Sequence, residues 1–220
     1  MEAIKKHLIP YYFLSVLFLG SFANVHAQNG VKKCSSTHYS MVYNPAEINN
    51  LDKLPKKIKD TLENQLIYFL GKSFYEQLVF DGGKIINHKV LIQKDPQAAN
   101  YKWKAPTYDL RFALTNSKAG INFMCSRIIL DSLGGVITNI GFPEKAKNTL
   151  NTQFKSLASI KEAAAQLGYG VKNYEIGISK NHIVLLFWKK TAQKKTPFIE
   201  LSVHTAAPIK KYKITAISGY

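Results

Sequence analysis

Any metal centre or nucleophilic site in this chain would have to draw on few residues. Beyond the first 27 positions there are four histidines, His38, His88, His182 and His204, and two cysteines, Cys34 and Cys125. None of the histidines stands in an H-E-x-x-H arrangement, and no two of them have a metal-ligand spacing. Cys34 and His38 lie one helical turn apart in number, but they supply two ligands where a structural zinc site needs four. Two cysteines also cannot build a four-thiolate site or a disulfide-dense scaffold. No G-x-S-x-G elbow, Walker loop or dinucleotide fingerprint is present. Gly82-Gly83 and Gly134-Gly135 read as hairpin glycines rather than phosphate cradles, and Asp131 as the cap of its own turn. The residues therefore imply no cofactor, no metal and no catalytic group. A small envelope hydrolase assembled from scattered side chains remains a further alternative.

Charge is the next chemical signal. The formal net charge is +16, from 30 Lys plus Arg against 14 Asp plus Glu. Only Arg111 and Arg127 are arginine. Arginine is the usual reader of phosphate forks and base edges, so its scarcity argues against sequence-specific nucleic-acid binding. Lysines cluster at Lys56-Lys57-Lys59, Lys189-Lys190-Lys194-Lys195 and Lys210-Lys211-Lys213. Such clusters solvate a surface and protect sheet edges, or they form a basic face that steers an acidic partner or polymer. The aromatics divide in the same way. Tyr174, Phe187, Trp188, Phe198 and Tyr212 fall in strand patterns, where core and cross-strand packing is the default. Phe187 and Trp188 are adjacent and must point to opposite faces of a strand. Trp188, beside Lys189 and Lys190, is the first candidate for an exposed contact. Tyr101 and Trp103, in a connecting loop, are the second.

The elements that must position these residues begin after a leader. Lys5, Lys6 and His7 precede an apolar run from Leu8 to Phe22, and Val25-His26-Ala27 places small residues ahead of a cut before Gln28. This is the layout of a secretory signal peptide, residues 1–27. The run is nearer 15 residues than the roughly 20 that a spanning helix needs, and no later run approaches that length. The expectation is an exported protein, periplasmic or secreted, with no transmembrane span after cleavage. In an oxidising compartment Cys34 and Cys125 could pair, or they could stay as small buried hydrophobes.

Residues 28–50 are polar and turn-rich and read as a leader tied down at most by Cys34. Leu54, Ile58, Leu62, Leu66, Phe69 and Leu70 then follow helical spacing, with Pro55 suited to the first turn and Gly71 to the end. From Phe74 the period becomes two. A turn at Asp81-Gly82-Gly83, a strand over Lys84–Gln93, strands over Tyr108–Leu114 and Ile121–Leu130, and a last strand Val136–Ile140 are expected. Pro143 to Phe154 reads as a linker. Ser159 and Glu162 fit a capping box opening a second helix that Gly168 closes, and four strands follow: Lys172–Ser179, His182–Lys189, Pro197–Thr205 and Ile209–Ile217. The fold class is α+β, two helix-plus-antiparallel-sheet halves at 51–142 and 157–220 joined by a linker at 143–156. One fused sheet across both halves fits the pattern equally well.

The run Ile128-Ile129-Leu130-Asp131-Ser132-Leu133-Gly134-Gly135-Val136-Ile137 resembles the end of a PepSY domain, where a strand closes on Asp, two residues and Gly, and the next strand opens on Val. The preceding helix and strands match that unit. The second half lacks the Asp-x-x-Gly turn and carries Val203-His204-Thr205 in its place. The resemblance implies a tandem arrangement similar to the β-lactamase-inhibitor-protein fold, and an exported protein that binds or inhibits rather than catalyses. It brings no catalytic residue. The function classes in view are a non-catalytic binding module for a protein or peptide partner in the envelope, and a lysine-rich binder of an acidic polymer.

Overall fold

A computed structural model describes residues 32–100, 106–189 and 195–215. Where apolar residues recur every three or four positions the chain coils, and where they alternate it extends. In chain order this gives β1 (Pro45–Ile48), α1 (Lys56–Leu70), α2 (Lys72–Tyr75), β2 (Leu78–Ile86), α3 (His88–Lys94), β3 (Tyr108–Asn116), β4 (Ile121–Leu130), α4 (Leu157–Gln166), β5 (Gly170–Ser179), β6 (His182–Trp188), β7 (Lys195–Ser202) and β8 (Pro208–Thr215). The strands form two four-stranded antiparallel sheets, β1-β2-β3-β4 and β5-β6-β7-β8, each an unbroken meander. The fold is α+β. Among the described residues β4 and β5 share no register pairs, so the sheets are separate rather than one fused ladder.

Helix α1 buries Ile58, Leu62, Leu66 and Leu70, four residues apart, as one stripe. Each such side chain stabilises the fold by roughly 1.5–3 kcal/mol relative to exposure. Pro55 occupies the N-cap position and Gly71, at φ +85°, ends the helix. The stripe packs on Leu110, Phe112, Leu114, Ile121, Ile128 and Leu130 from the inner face of the first sheet. Helix α4 does the same for the second sheet through Ile160 and Ala164, against Ile183, Leu185, Phe187, Ile199 and Leu201. The two groups form one continuous core, and residues 32–215 make one compact unit. At the seam the Tyr174 hydroxyl donates to the Gly120 carbonyl at 3.1 Å. Gly120 has φ +79°, and a Cβ there would sit 2.7 Å from Leu157 Cδ1, so a side chain at that point would strain the backbone and push Leu157 aside.

The structure departs from the sequence expectations at six places, the first at Phe74, which lies in α2 and is followed by a strand only from Leu78. Asp81-Gly82-Gly83 is not a hairpin: β2 continues through it, pairing Phe80 with Phe112 and then Gly83 with Leu110, with a bulge between. Lys84–Gln93 is not one strand, because Asn87 accepts from the backbone N–H groups of Lys89 and Val90 and starts α3. Val136–Ile140 contributes only an isolated bridge, Leu130 to Val136, rather than a strand. Ser156, not Ser159, caps α4, its hydroxyl accepting from the Ser159 N–H. Residues 28–50 are more than a tethered leader, since Pro45–Ile48 pairs with β2 as the edge of the first sheet.

The linker is tied at both ends. Asn151, buried, donates from Nδ2 to the Leu70 carbonyl at 2.6 Å and to the Pro143 carbonyl at 3.3 Å. Asn181 accepts from the Glu144 N–H at 3.0 Å and donates back to the Glu144 carbonyl at 3.1 Å. Asn181 sits with Lys180 in the tight turn between β5 and β6, at φ 62° and 46°, the paired left-handed geometry a two-residue hairpin requires.

Candidate functional site

Strand alternation sets the outer face of the second sheet. Phe187 and Ile199 point into the core and are fully buried, so Trp188 and Phe198 point the other way. Register then places Trp188 opposite Phe198, and Phe198 opposite Tyr212, across β6, β7 and β8. Trp188 and Phe198 have ring centroids 6.3 Å apart. Phe198 and Tyr212 stack at 5.5 Å with only 10° between their planes. The result is a row of three half-buried aromatic rings on a sheet face.

One lysine stands at the Tyr212 end of the row, and the lysine that follows Trp188 turns to the opposite, helix-covered side of the sheet. Lys189 Nζ lies 5.0 Å from the Tyr169 ring centre, and Lys210 Nζ lies 5.1 Å from that of Tyr212. Such cation–π contacts hold an ammonium over a ring while leaving it open to solvent. Burial raises the Tyr212 hydroxyl pKa above its ordinary value, and the nearby Glu200 carboxylate raises it further. Strand β8 pairs with β7 alone, and its outer edge has no partner among the described residues. Along that edge Lys210, Lys211 and Lys213 are exposed.

Trp188 thus stands at one end of the aromatic row, while Lys189, next in the chain, turns away from it to the Tyr169 ring beside α4. Lys190, Tyr101 and Trp103 lie outside the described residues. Phe198 and Tyr212, assigned from sequence to cross-strand packing, are the ring partners that turn Trp188 into a surface. That role depends on register, which the sequence does not print. Cys34 and Cys125 are joined, with Cα atoms 5.7 Å apart.

The other end of the same face is covered. Residues 148–154 of the linker lie over it, where Asn148 meets His182, Ser202 lies 3.5 Å from His182 Nδ1, and Phe154 stacks on His204 at 5.2 Å. His204 is 2% exposed. Its Nδ1 meets the Gln153 carbonyl at 3.1 Å, so that nitrogen carries the proton, and its buried Nε2 has no hydrogen-bond partner. Burial lowers the His204 pKa below the usual 6.5, the Gln153 carbonyl opposes this, and the charge of His182 adds to the lowering. The unfolded chain therefore binds this proton first. The contribution of His204 is complete above about pH 6.5 and is lost as pH falls below it. Denaturation curves between pH 7.5 and pH 5 should show stability falling by up to about 1.4 kcal/mol per pH unit from this group, and His204→Leu should flatten that slope.

The described histidines face no carboxylate in these contacts: His88 Nε2 meets the Thr107 hydroxyl at 3.1 Å, and His182 meets Asn148 and Ser202. Among the described residues no three His, Cys, Asp or Glu side chains are grouped to hold a metal ion. No described helix is long and apolar enough to cross a membrane. Comparison of the chain with protein-family models, with curated proteins and with solved structures finds no match.

Proposed function

We propose that the chain is an exported, non-catalytic binding module that takes an acidic peptide segment on the outer face and free edge of its second sheet. The observation that carries this reading is the row Trp188–Phe198–Tyr212, in register across three strands, with Lys210 over its Tyr212 end and further lysines along β8. An extended guest laid beside β8 would meet unpaired backbone groups, rings for its apolar side chains and ammonium groups for its carboxylates. The same lysines repel basic strands, including a second copy of this chain, so they select as well as attract. Export is supported by the basic-apolar-small pattern of residues 1–27 and by the Cys34–Cys125 bond, a kind that persists in oxidising compartments. The PepSY-like reading rests on the Asp131 turn, where Asp131 Oδ1 accepts from the Leu133 and Gly135 N–H groups, and on the order of helix and strands.

The lysine clusters favour a second reading, a binder of acidic polymers. The two separate on salt and on Trp188. An eight-residue peptide alternating Glu and Val, titrated by isothermal calorimetry, should bind at both 20 and 500 mM salt. Trp188→Ala should weaken it by about 30-fold, the size of one aromatic hot spot. Poly-glutamate that binds as well, is released at high salt and ignores Trp188→Ala would favour the polymer reading. Failure of both probes to bind would overturn both.

A further inference from the structure

The first sheet holds a second feature, away from the aromatic row. On β3 and β4, Arg111 and Arg127 are register partners on the face opposite the core. Arg127 is saturated: its Nε and Nη2 meet the two Asp109 carboxylate oxygens at 2.8 and 2.9 Å, and Nη2 also meets the Tyr39 hydroxyl. Arg111 is not. It is 9% exposed, its buried Nε has no hydrogen-bond partner, and its nearest carboxylate, Glu47, stands 4.0 Å from Nη2. Glu47 is shared: its Oε1 meets Lys84 Nζ at 3.1 Å, and its Oε2 is left to Arg111 at the longer distance. A guanidinium taken out of water without a hydrogen-bonded anion is costly, and Arg111 is both the more buried of the two neighbours and the one whose carboxylate stands beyond hydrogen-bond distance.

What Arg111 faces is a pocket of about 550 Å³, open to solvent between β1, the β2 bulge and the arm at Lys33–Ser36. That volume is in the range that takes small organic ligands. The bulge makes the room: Gly82 has φ +92°, and a Cβ there would stand 3.0 Å from Arg111 Nη2. Ile48 and Phe80 give the pocket an apolar wall, while Glu47 and Asp81 set two acids near the guanidinium. Lys33 joins Arg111 on the positive side, so the lining carries two charges of each sign. These charges suit a ligand that carries both signs.

We propose that this pocket binds the free carboxylate of an amino acid or short peptide in the fork of Arg111, with the ligand's ammonium group toward Glu47 and Asp81 and an apolar side chain on Phe80 and Ile48. A planar carboxylate accepts two parallel N–H bonds from a guanidinium, here from the Nη side, since Nη2 lies against Gly82 of the pocket wall. This is a different site and a different ligand from the peptide face on the second sheet, and either can fail without the other.

The test is a titration of the full mature chain with the dipeptide Ala-Leu, followed by the 15N–1H resonance of Arg111 Nε. The expected result is a saturable shift of that resonance. The C-terminal amide and the N-acetyl form should each bind at least tenfold more weakly, and inorganic phosphate should leave the resonance in place. No saturable shift with Ala-Leu, an equal shift with its amide, or a response to phosphate alone would overturn the proposal. Arg111→Lys keeps the charge and loses the fork. If its melting temperature stays near wild type, affinity should fall at least tenfold, and unchanged affinity would overturn the assignment. Should Arg111→Lys not fold, Glu47→Gln, at an exposed side chain, provides the second reading. It should bind Ala-Leu and its N-acetyl form alike, and a preference kept at full strength would count against the pose.

Discussion

Replacing Cys34 and Cys125 by alanine, or reducing their bond, should lower the unfolding free energy by about 2–5 kcal/mol, the larger of the structural losses foreseen. The two residues are 91 apart in sequence, and closing so long a loop removes much of the freedom of the unfolded chain. Loop-closure entropy alone gives close to 4.7 kcal/mol for a loop of about 100 residues, with native-state effects reducing that figure. The folded state changes as well. Cys34 is buried, and the bond pins the segment from Lys32 to Ser40 over the outer face of the first sheet. Without it that arm is held by the Cys34 N–H to Asp81, by Lys84 Nζ to the Thr37 carbonyl at 2.6 Å and by Tyr39 to Asp109 at 2.7 Å. Urea denaturation of oxidised and reduced protein measures the difference. A change under about 1 kcal/mol would mean that these hydrogen bonds alone hold the arm and that the loop-entropy account is wrong.

Helix α1 was legible because Ile58, Leu62, Leu66 and Leu70 repeat at a period no strand shares, and Phe187 against Trp188 because adjacent strand residues must part to opposite faces. What was not legible depends on which strand lies beside which. Gly82-Gly83 carries the same local signal whether it turns a hairpin or forms a bulge, and only the pairing of both flanks with β3 decides it. The stretch Lys84–Gln93 is apolar enough for strand or helix, and the Asn87 cap decides for a helix after Ile86. The aromatic row has the same origin. Trp188, Phe198 and Tyr212 are far apart in sequence and become one surface only when β6, β7 and β8 pair in that register. Arg111 was noted only for its rarity. Alternation along Tyr108–Leu114 sends Asp109, Arg111 and Ala113 away from the core, a signal present in the sequence. That Arg127 would take Asp109 and leave Arg111 only the more distant Glu47 follows from the β3–β4 register.

Asp109 is the second position where a single change should be severe. It is 3% exposed and accepts from Arg127 Nε and Nη2 and from the Tyr39 hydroxyl. Lys84, beside it in register, and Arg111, two residues along β3, are also buried, so the face holds more positive than negative charge once Asp109 is gone. Breaking a buried ion pair from one side costs about 3–5 kcal/mol. The Arg127 side chain is 43% exposed and regains water, which places Asp109→Ala at the lower end, about 3 kcal/mol. Asp109→Asn keeps the shape and should lose less. The pH dependence identifies the cause. Burial pushes the Asp109 pKa up, but the hydrogen bonds from Arg127 and Tyr39 and the Arg127 charge outweigh it, and the net shift is downward. A carboxyl depressed in the folded state contributes stability in full above its unfolded pKa of about 3.9 and loses it as pH falls through the folded value. Tyr39 bounds the other side. Burial and then the Asp109 carboxylate push its hydroxyl up to about 12, so its contribution is complete below about pH 10 and is lost as pH rises toward 12. Wild type should therefore lose stability on an acid limb below about pH 4 and on an alkaline limb above about pH 10. Asp109→Asn should shorten both limbs, because it removes the depressed carboxyl and the charge that raises Tyr39, whereas Tyr39→Phe should shorten the alkaline limb, which Tyr75 also supports, and trim the acid limb by the one hydrogen bond it removes from Asp109. An Asp109→Asn protein with both limbs intact would show that other groups set the pH range, and that Asp109 serves the fold by shape rather than by charge.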